Sequence, residues 1–114
     1  MITLYGIPNC DTVKKARVWL QQQGRAHEFH NFKNQGLPAD RLDVWLAAVG
    51  WERLLNRKGT TWRQLDEATR AAVVDTASAK AVMLANPSTA RRPVVEWPGG
   101  AITVGVDADD WSRR

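Results

Sequence analysis

The chain opens with a short β-rich run, Ile2-Thr3-Leu4-Tyr5-Gly6-Ile7, which Pro8-Asn9 closes. From Asp11 the period changes. Val13, Ala16 and Leu20 recur at helical spacing, while Lys14, Lys15, Arg17 and Gln21 fall on other faces. This predicts an amphipathic helix that Gly24 stops. His27-Glu28-Phe29-His30-Asn31-Phe32 alternates and predicts a second strand. Two strands joined by one helix form a βαβ unit, whose natural pairing is parallel with a right-handed crossover.

The middle of the chain is helical in pattern. Pro38 stands where a helix begins, and Leu42, Trp45, Leu46 and Val49 keep to one face until Gly50. Trp51 to Leu55 predicts a further short turn. Thr60 or Thr61 can cap another that carries Trp62 and Leu65. The alanine-rich stretch from Asp66 to Ala85 predicts two short helices with a boundary near Asp75, ended by Asn86-Pro87. Strand pattern then returns: Val94-Val95-Glu96-Trp97 and Ala101-Ile102-Thr103-Val104 flank Pro98-Gly99-Gly100, a hairpin signal. From Asp107 a last helical turn can hold Trp111. The predicted order is β-α-β, a helical block, then β-β-α.

Composition narrows the reading. At 114 residues the chain fits a single domain, long enough to bury a core without disulfide staples. It carries one cysteine, so no internal disulfide can form, as expected in a reducing compartment. The opening run is broken at Gly6 and Pro8, is not a basic-then-apolar leader, and no apolar stretch approaches the ~20 residues of a membrane span. A cytoplasmic monomer with no membrane partner is expected. The net charge of +4 comes from scattered pairs such as Lys14/Lys15, Arg57/Lys58, Arg91/Arg92 and Arg113/Arg114. Nucleic-acid binding would want a basic stripe interleaved with aromatics, so it is not expected. Trp19, Trp45, Trp51 and Trp62 fall in helical segments and read as packing residues.

Cys10 is the main candidate for chemistry. It lies where the first strand gives way to the first helix, and a helix start offers unpartnered N–H groups and a positive field. A thiolate there is favoured and its pKa falls. Lys14, one turn on, would add positive charge, while Asp11 would oppose a second negative charge. The helix start together with Lys14 is expected to prevail. A lone cysteine can also be a small buried hydrophobe. Against this, Pro8-Asn9-Cys10-Asp11 is a polar turn at the carboxyl end of a strand, where α/β sheets present their sites. One cysteine with His27 and His30 gives no familiar ligand spacing, so no metal site is expected. No Gly-x-Ser-x-Gly elbow occurs. A second feature is Thr89-Ala90-Arg91-Arg92-Pro93-Val94-Val95. Pro93 stands at a strand start, where a missing donor is tolerated, and it pushes Arg92 toward an extended backbone. Arginine's planar fork suits carboxylates and oxyanions; Arg91 and Arg92 can equally be solvated loop charges.

Three separated segments resemble one known family. Gly6-Ile7-Pro8-Asn9-Cys10-Asp11-Thr12-Val13-Lys14-Lys15-Ala16, Leu54-Leu55-Asn56-Arg57-Lys58-Gly59-Thr60-Thr61-Trp62, and Asn86-Pro87 with Arg91-Arg92-Pro93-Val94-Val95 are similar to the ArsC/Spx family, in particular its YffB-like branch. The resemblance runs over essentially the whole chain. It implies an α/β fold, a thioredoxin- or glutaredoxin-like mixed four-stranded sheet with a helical insertion at about residues 37–86. It further implies a thiol-dependent reductase with Cys10 as nucleophile, and Asn9, Lys14, Arg57, Arg92 and Pro93 as substrate- or glutathione-binding residues. Pro93 would be cis and face the cysteine. No bound cofactor is implied. With no resolving cysteine, an external thiol must release a mixed disulfide formed with an oxidised substrate, and glutathione is the expected co-substrate. The arsenate reductases of this family bring another arginine from the final strand region, where this chain has Ile102-Thr103-Val104-Gly105-Val106, so arsenate reduction is not the first expectation. Spx-type regulators often carry a Cys-x-x-Cys switch, and the residue three after Cys10 is Val13. A non-catalytic partner of RNA polymerase and a residual arsenate reductase stand as the alternatives.

Overall fold

The structure, a computed structural model, describes residues 1–114. It comprises two compact units, one formed by Met1–Asn34 and Arg92–Arg114 and the other by Gln35–Arg91. No helix is long and apolar enough to cross a membrane.

The first unit contains the sheet. Strand β1 (Ile2–Gly6) leads into helix α1 (Asp11–Gln22) and strand β2 (His27–Asn31). β1 and β2 pair in parallel, with Leu4 opposite Phe29 and Tyr5 opposite His30. Strands β3 (Val94–Glu96) and β4 (Ile102–Val104) form the hairpin. β3 runs antiparallel to β1, so the sheet is mixed and four-stranded in the order β2-β1-β3-β4. The helical stripe Val13, Ala16 and Leu20 buries against Ile2 and Leu4 of β1, Val95, Trp97 and Trp111. Trp111 belongs to the short terminal helix α8 (Ala108–Ser112), numbered last in chain order. Its ring meets Trp97 edge-on at 5.3 Å and Trp19 at 5.5 Å, a geometry that aromatic quadrupoles favour. The Trp97 indole N–H donates to the Thr103 hydroxyl across the hairpin at 2.9 Å.

The strand predicted to run through Phe32 ends one residue earlier. The Asn31 side-chain oxygen accepts the Lys33 N–H at 2.8 Å, which turns the backbone into the short helix α2 (Phe32–Gln35). A local side-chain acceptor here outcompetes the strand ladder.

The second unit is helical. Helix α3 (Ala39–Val49) starts from Pro38, whose carbonyl accepts the Leu42 N–H at 2.9 Å, and stops at Gly50. Next come α4 (Trp51–Leu54), α5 (Thr60–Gln64), α6 (Glu67–Ala71) and α7 (Thr76–Ala85). Asp75 begins α7 through a capping box: its carboxylate accepts the Ser78 N–H at 2.9 Å, and the Ser78 hydroxyl accepts the Asp75 N–H at 3.1 Å. A 3-10 turn, Pro87–Thr89, follows. Leu42, Trp45, Leu46, Leu54, Leu55, Trp62, Ala79 and Met83 are buried. Trp51 is only half-buried, and its ring lies beneath the Arg57 guanidinium at 5.3 Å.

Candidate functional site

The site forms where β1 hands over to α1. After Gly6 the chain turns through Pro8 and Asn9, and the Cys10 N–H donates to the Ile7 carbonyl at 3.2 Å. Cys10 has extended dihedrals, φ −89° and ψ 125°, and stands as the N-cap residue. Its carbonyl takes the Lys14 N–H at 2.9 Å, the first bond of the helix. Its side chain packs against the hydrophobic core yet is only half-buried.

Cys10 occupies the position where serine or aspartate would cap a helix with a side-chain oxygen. As a neutral thiol, sulfur is only a weak acceptor. A thiolate is a different matter. Burial alone would raise the thiol pKa. Hydrogen bonding from the Val13 N–H, from the Arg92 side chain and from the Thr12 N–H, together with the Arg92 charge, outweighs burial and holds the thiol below its ordinary value. Thr12 and Val13 are the second and third helical residues, whose amides have no intrahelical acceptor.

Arg92 reaches this place through the sheet. In the β1–β3 pairing Val94 lies opposite Tyr5, so Pro93 and Arg92 run back alongside Gly6 and the turn that carries Cys10. Arg92 is half-buried, the Arg92–Pro93 peptide is cis, and the Pro93 carbonyl accepts the Gly105 N–H at 2.8 Å. Gly6 permits the close approach of β1 to α1. A Cβ there would stand 2.7 Å from one Val13 methyl and 3.3 Å from the other.

The remaining expected residues fall in different places. Asn9 is exposed in the turn before Cys10. Lys14 is also exposed, and its ammonium is not among the groups that lower the thiol pKa. The cation expected from Lys14 is supplied by Arg92. Arg57 belongs to the second unit, 3.9 Å from Glu52 and over the Trp51 ring. In the sequence Gly6 reads only as the break in the opening run and part of the first motif, and its place at the end of β1, four residues before Cys10, is the signal of its packing role. No three His, Cys, Asp or Glu side chains converge as a metal ion would require.

The sequence model of the ArsC family matches residues 5–113. A solved structure named YFFB protein superposes with a TM-score of 0.93 at 45% identity, covering 99% of this chain and 97% of that one. An arsenate reductase (ArsC) related protein from Brucella melitensis is 49% identical, with a TM-score of 0.75 over 98% of this chain and 92% of its own. The global transcriptional regulator Spx of Streptococcus agalactiae is 31% identical over 97 residues, which span 83% of this chain and 69% of the regulator. The fold is the thioredoxin-like α/β arrangement of these proteins.

Proposed function

Because this chain belongs to the ArsC family, we propose that it is a thiol-dependent reductase with Cys10 as its nucleophile and glutathione as the external reductant. One observation carries the reading: the Cys10 thiol is held below its ordinary value by two helix-start amides and the Arg92 side chain, against the opposing effect of burial. The thiolate is the attacking species in disulfide exchange, so a lowered pKa places more of the sulfur in reactive form at neutral pH.

In the first step the Cys10 thiolate attacks the glutathionyl sulfur of a mixed disulfide. The S–S bond breaks, and the departing sulfur leaves with the electron pair and takes a proton from water. Cys10 is then disulfide-bonded to glutathione. The chain has no other cysteine, so a second glutathione thiolate attacks this adduct. Oxidised glutathione departs and the Cys10 thiolate returns. One disulfide is reduced, and one new disulfide, that of oxidised glutathione, is formed. Arg92 would stabilise the sulfur anion each time it forms. Pro93, which has no N–H, would shape the wall beside it. Asn9 and Lys14, exposed on the same turn and helix, would meet the carboxylates of glutathione.

The test follows thiolate absorbance against pH, then intact mass after addition of oxidised glutathione. A transition below the ordinary thiol value of about 8.5 and a glutathione adduct are expected, both lost in Cys10→Ser. An ordinary transition with no adduct would overturn the reading.

The likeness to Spx favours a second reading, a binding protein that keeps the fold without turnover, with RNA polymerase as its partner. Cys10→Ser separates the two: a binder keeps its partner, whereas a reductase loses turnover. Arsenate reduction is less favoured because the run from Ile102 to Val106, which includes β4, contains no arginine.

A further inference from the structure

At the far end of α1 the chain builds a second feature. Gly24, at φ 66°, lets its N–H donate to the Gln21 carbonyl at 3.1 Å while the Arg25 N–H donates to the Leu20 carbonyl at 2.9 Å. These are the paired bonds of a Schellman stop. The Gln23 N–H donates to the Trp19 carbonyl at 3.0 Å. These bonds engage the Trp19, Leu20 and Gln21 carbonyls, and any anion bound here is held by cations that outweigh the negative end of the helix dipole.

Between this stop and the start of β2 lies a cleft of about 500 Å³ lined by Arg17, Gln21, Arg25 and His27, with Met1 and Ala26. No carboxylate lines it. The Arg17 guanidinium sits 4.4 Å from the centroid of the Phe29 ring, and the Arg25 guanidinium 5.7 Å from that of Trp97. Stacking on a ring restrains each cation and leaves its N–H edge for an acceptor in its plane. Neither arginine is drawn into an ion pair of the kind that Arg57, Lys80 and Arg114 make. His27 Nδ1 lies 3.1 Å from the Arg25 carbonyl. A carbonyl only accepts, so the hydrogen is on Nδ1, and the bond ties the imidazole to the Arg25 loop.

We propose that this cleft binds a small organic phosphate, its oxygens shared between Arg17 and Arg25 and its organic part against Met1 and Ala26. Two restrained guanidiniums without carboxylate partners suit a dianion with several acceptor edges, whereas a single carboxylate would satisfy one fork. The cleft falls within the ~300–1,000 Å³ typical of small-molecule sites, far more than a free phosphate would fill. It is also separate from Cys10, since the 12 residues of α1 place the two ends of the helix about 18 Å apart.

The proposal is tested by following backbone amide NMR signals of the full chain during titration with phenyl phosphate, with phenylacetate and phenol as comparisons. Saturable shifts at residues 21–27 are expected, stronger for phenyl phosphate than for either comparison. Arg17→Gln and Arg25→Gln should each weaken binding about tenfold or more. Arg17 lies on the exposed side of α1, so its variant keeps the test meaningful should Arg25→Gln fail to fold. Shifts that never saturate, shifts confined to residues 8–14, equal response to phenylacetate, or an Arg17→Gln variant that binds like the parent would each overturn it.

Discussion

Replacing Gly6 with alanine probes the link between fold and thiol directly. The added Cβ would lie 2.7 Å from a Val13 methyl, about 1 Å inside the separation carbon atoms prefer. Val13 is fully buried in the core of the first unit, and a β-branched side chain in a helix has essentially one rotamer. It cannot swing aside, so backbone must move. Overpacking of this kind costs about 1–3 kcal/mol. Alanine recovers about 0.5–1 kcal/mol relative to glycine in an extended segment, which leaves a net loss of about 0–2.5 kcal/mol, centred near ~1 kcal/mol. The displaced residue also supplies an N–H to the Cys10 sulfur, so the thiol pKa should rise in the same variant. Urea unfolding gives the stability and thiolate absorbance gives the titration. The decisive comparison is with Val13→Ala and the double variant. Val13→Ala removes two buried methyl groups at about 2–3 kcal/mol, but it also clears the space that the methyl group added by Gly6→Ala would need. The double variant should therefore be less destabilised than the sum of the singles by about 1 kcal/mol or more. Strict additivity would refute the contact, and an unchanged thiol titration in Gly6→Ala would refute its link to the sulfur.

Two further outcomes follow from the same geometry. Arg92→Gln removes a charged donor from the Cys10 sulfur, so the thiol should titrate higher and alkylation by iodoacetamide at neutral pH should slow, while Lys14→Gln should leave both nearly unchanged; the reverse order would return the cation role to Lys14. The folded thiol lies below its unfolded value, so its contribution to stability is complete above the unfolded value of about 8.5 and is lost as pH falls through the folded value. The stability advantage of the parent over Cys10→Ser, measured by urea unfolding, should therefore widen from about pH 6 to about pH 9, and a gap that narrows with rising pH would contradict it.

What the sequence made legible was mostly local. The helical spacing of Val13, Ala16 and Leu20, the stop at Gly24, and the Pro98-Gly99-Gly100 turn all reappear in α1 and the β3–β4 hairpin. Asp75, at the expected helix boundary, begins α7 because its short carboxylate reaches the Ser78 N–H. The end of β2 at Asn31 is hidden in the sequence because alternation continues through Phe32, while a single side-chain hydrogen bond to Lys33 decides the turn. Lys14 attracts attention because helical neighbours can be counted along the chain. Arg92 takes that role through a pairing between residues some ninety positions apart in sequence, which no local period encodes. The cis form of Arg92–Pro93 is likewise implied only by the family resemblance, since the residues alone leave both isomers open.

The pairing of Val94 with Tyr5 makes the position of the cation at the sulfur a matter of strand alignment. A residue gained or lost between Arg92 and Val94 would move the guanidinium by a full backbone step and turn it toward the opposite side of the sheet. Length changes inside residues 35–91 leave that alignment untouched, because the ladder from β1 to β3 is complete within the first unit. Where the guanidinium stands at the sulfur is thus set by Arg92 and Pro93 and not by the length of the helical segment.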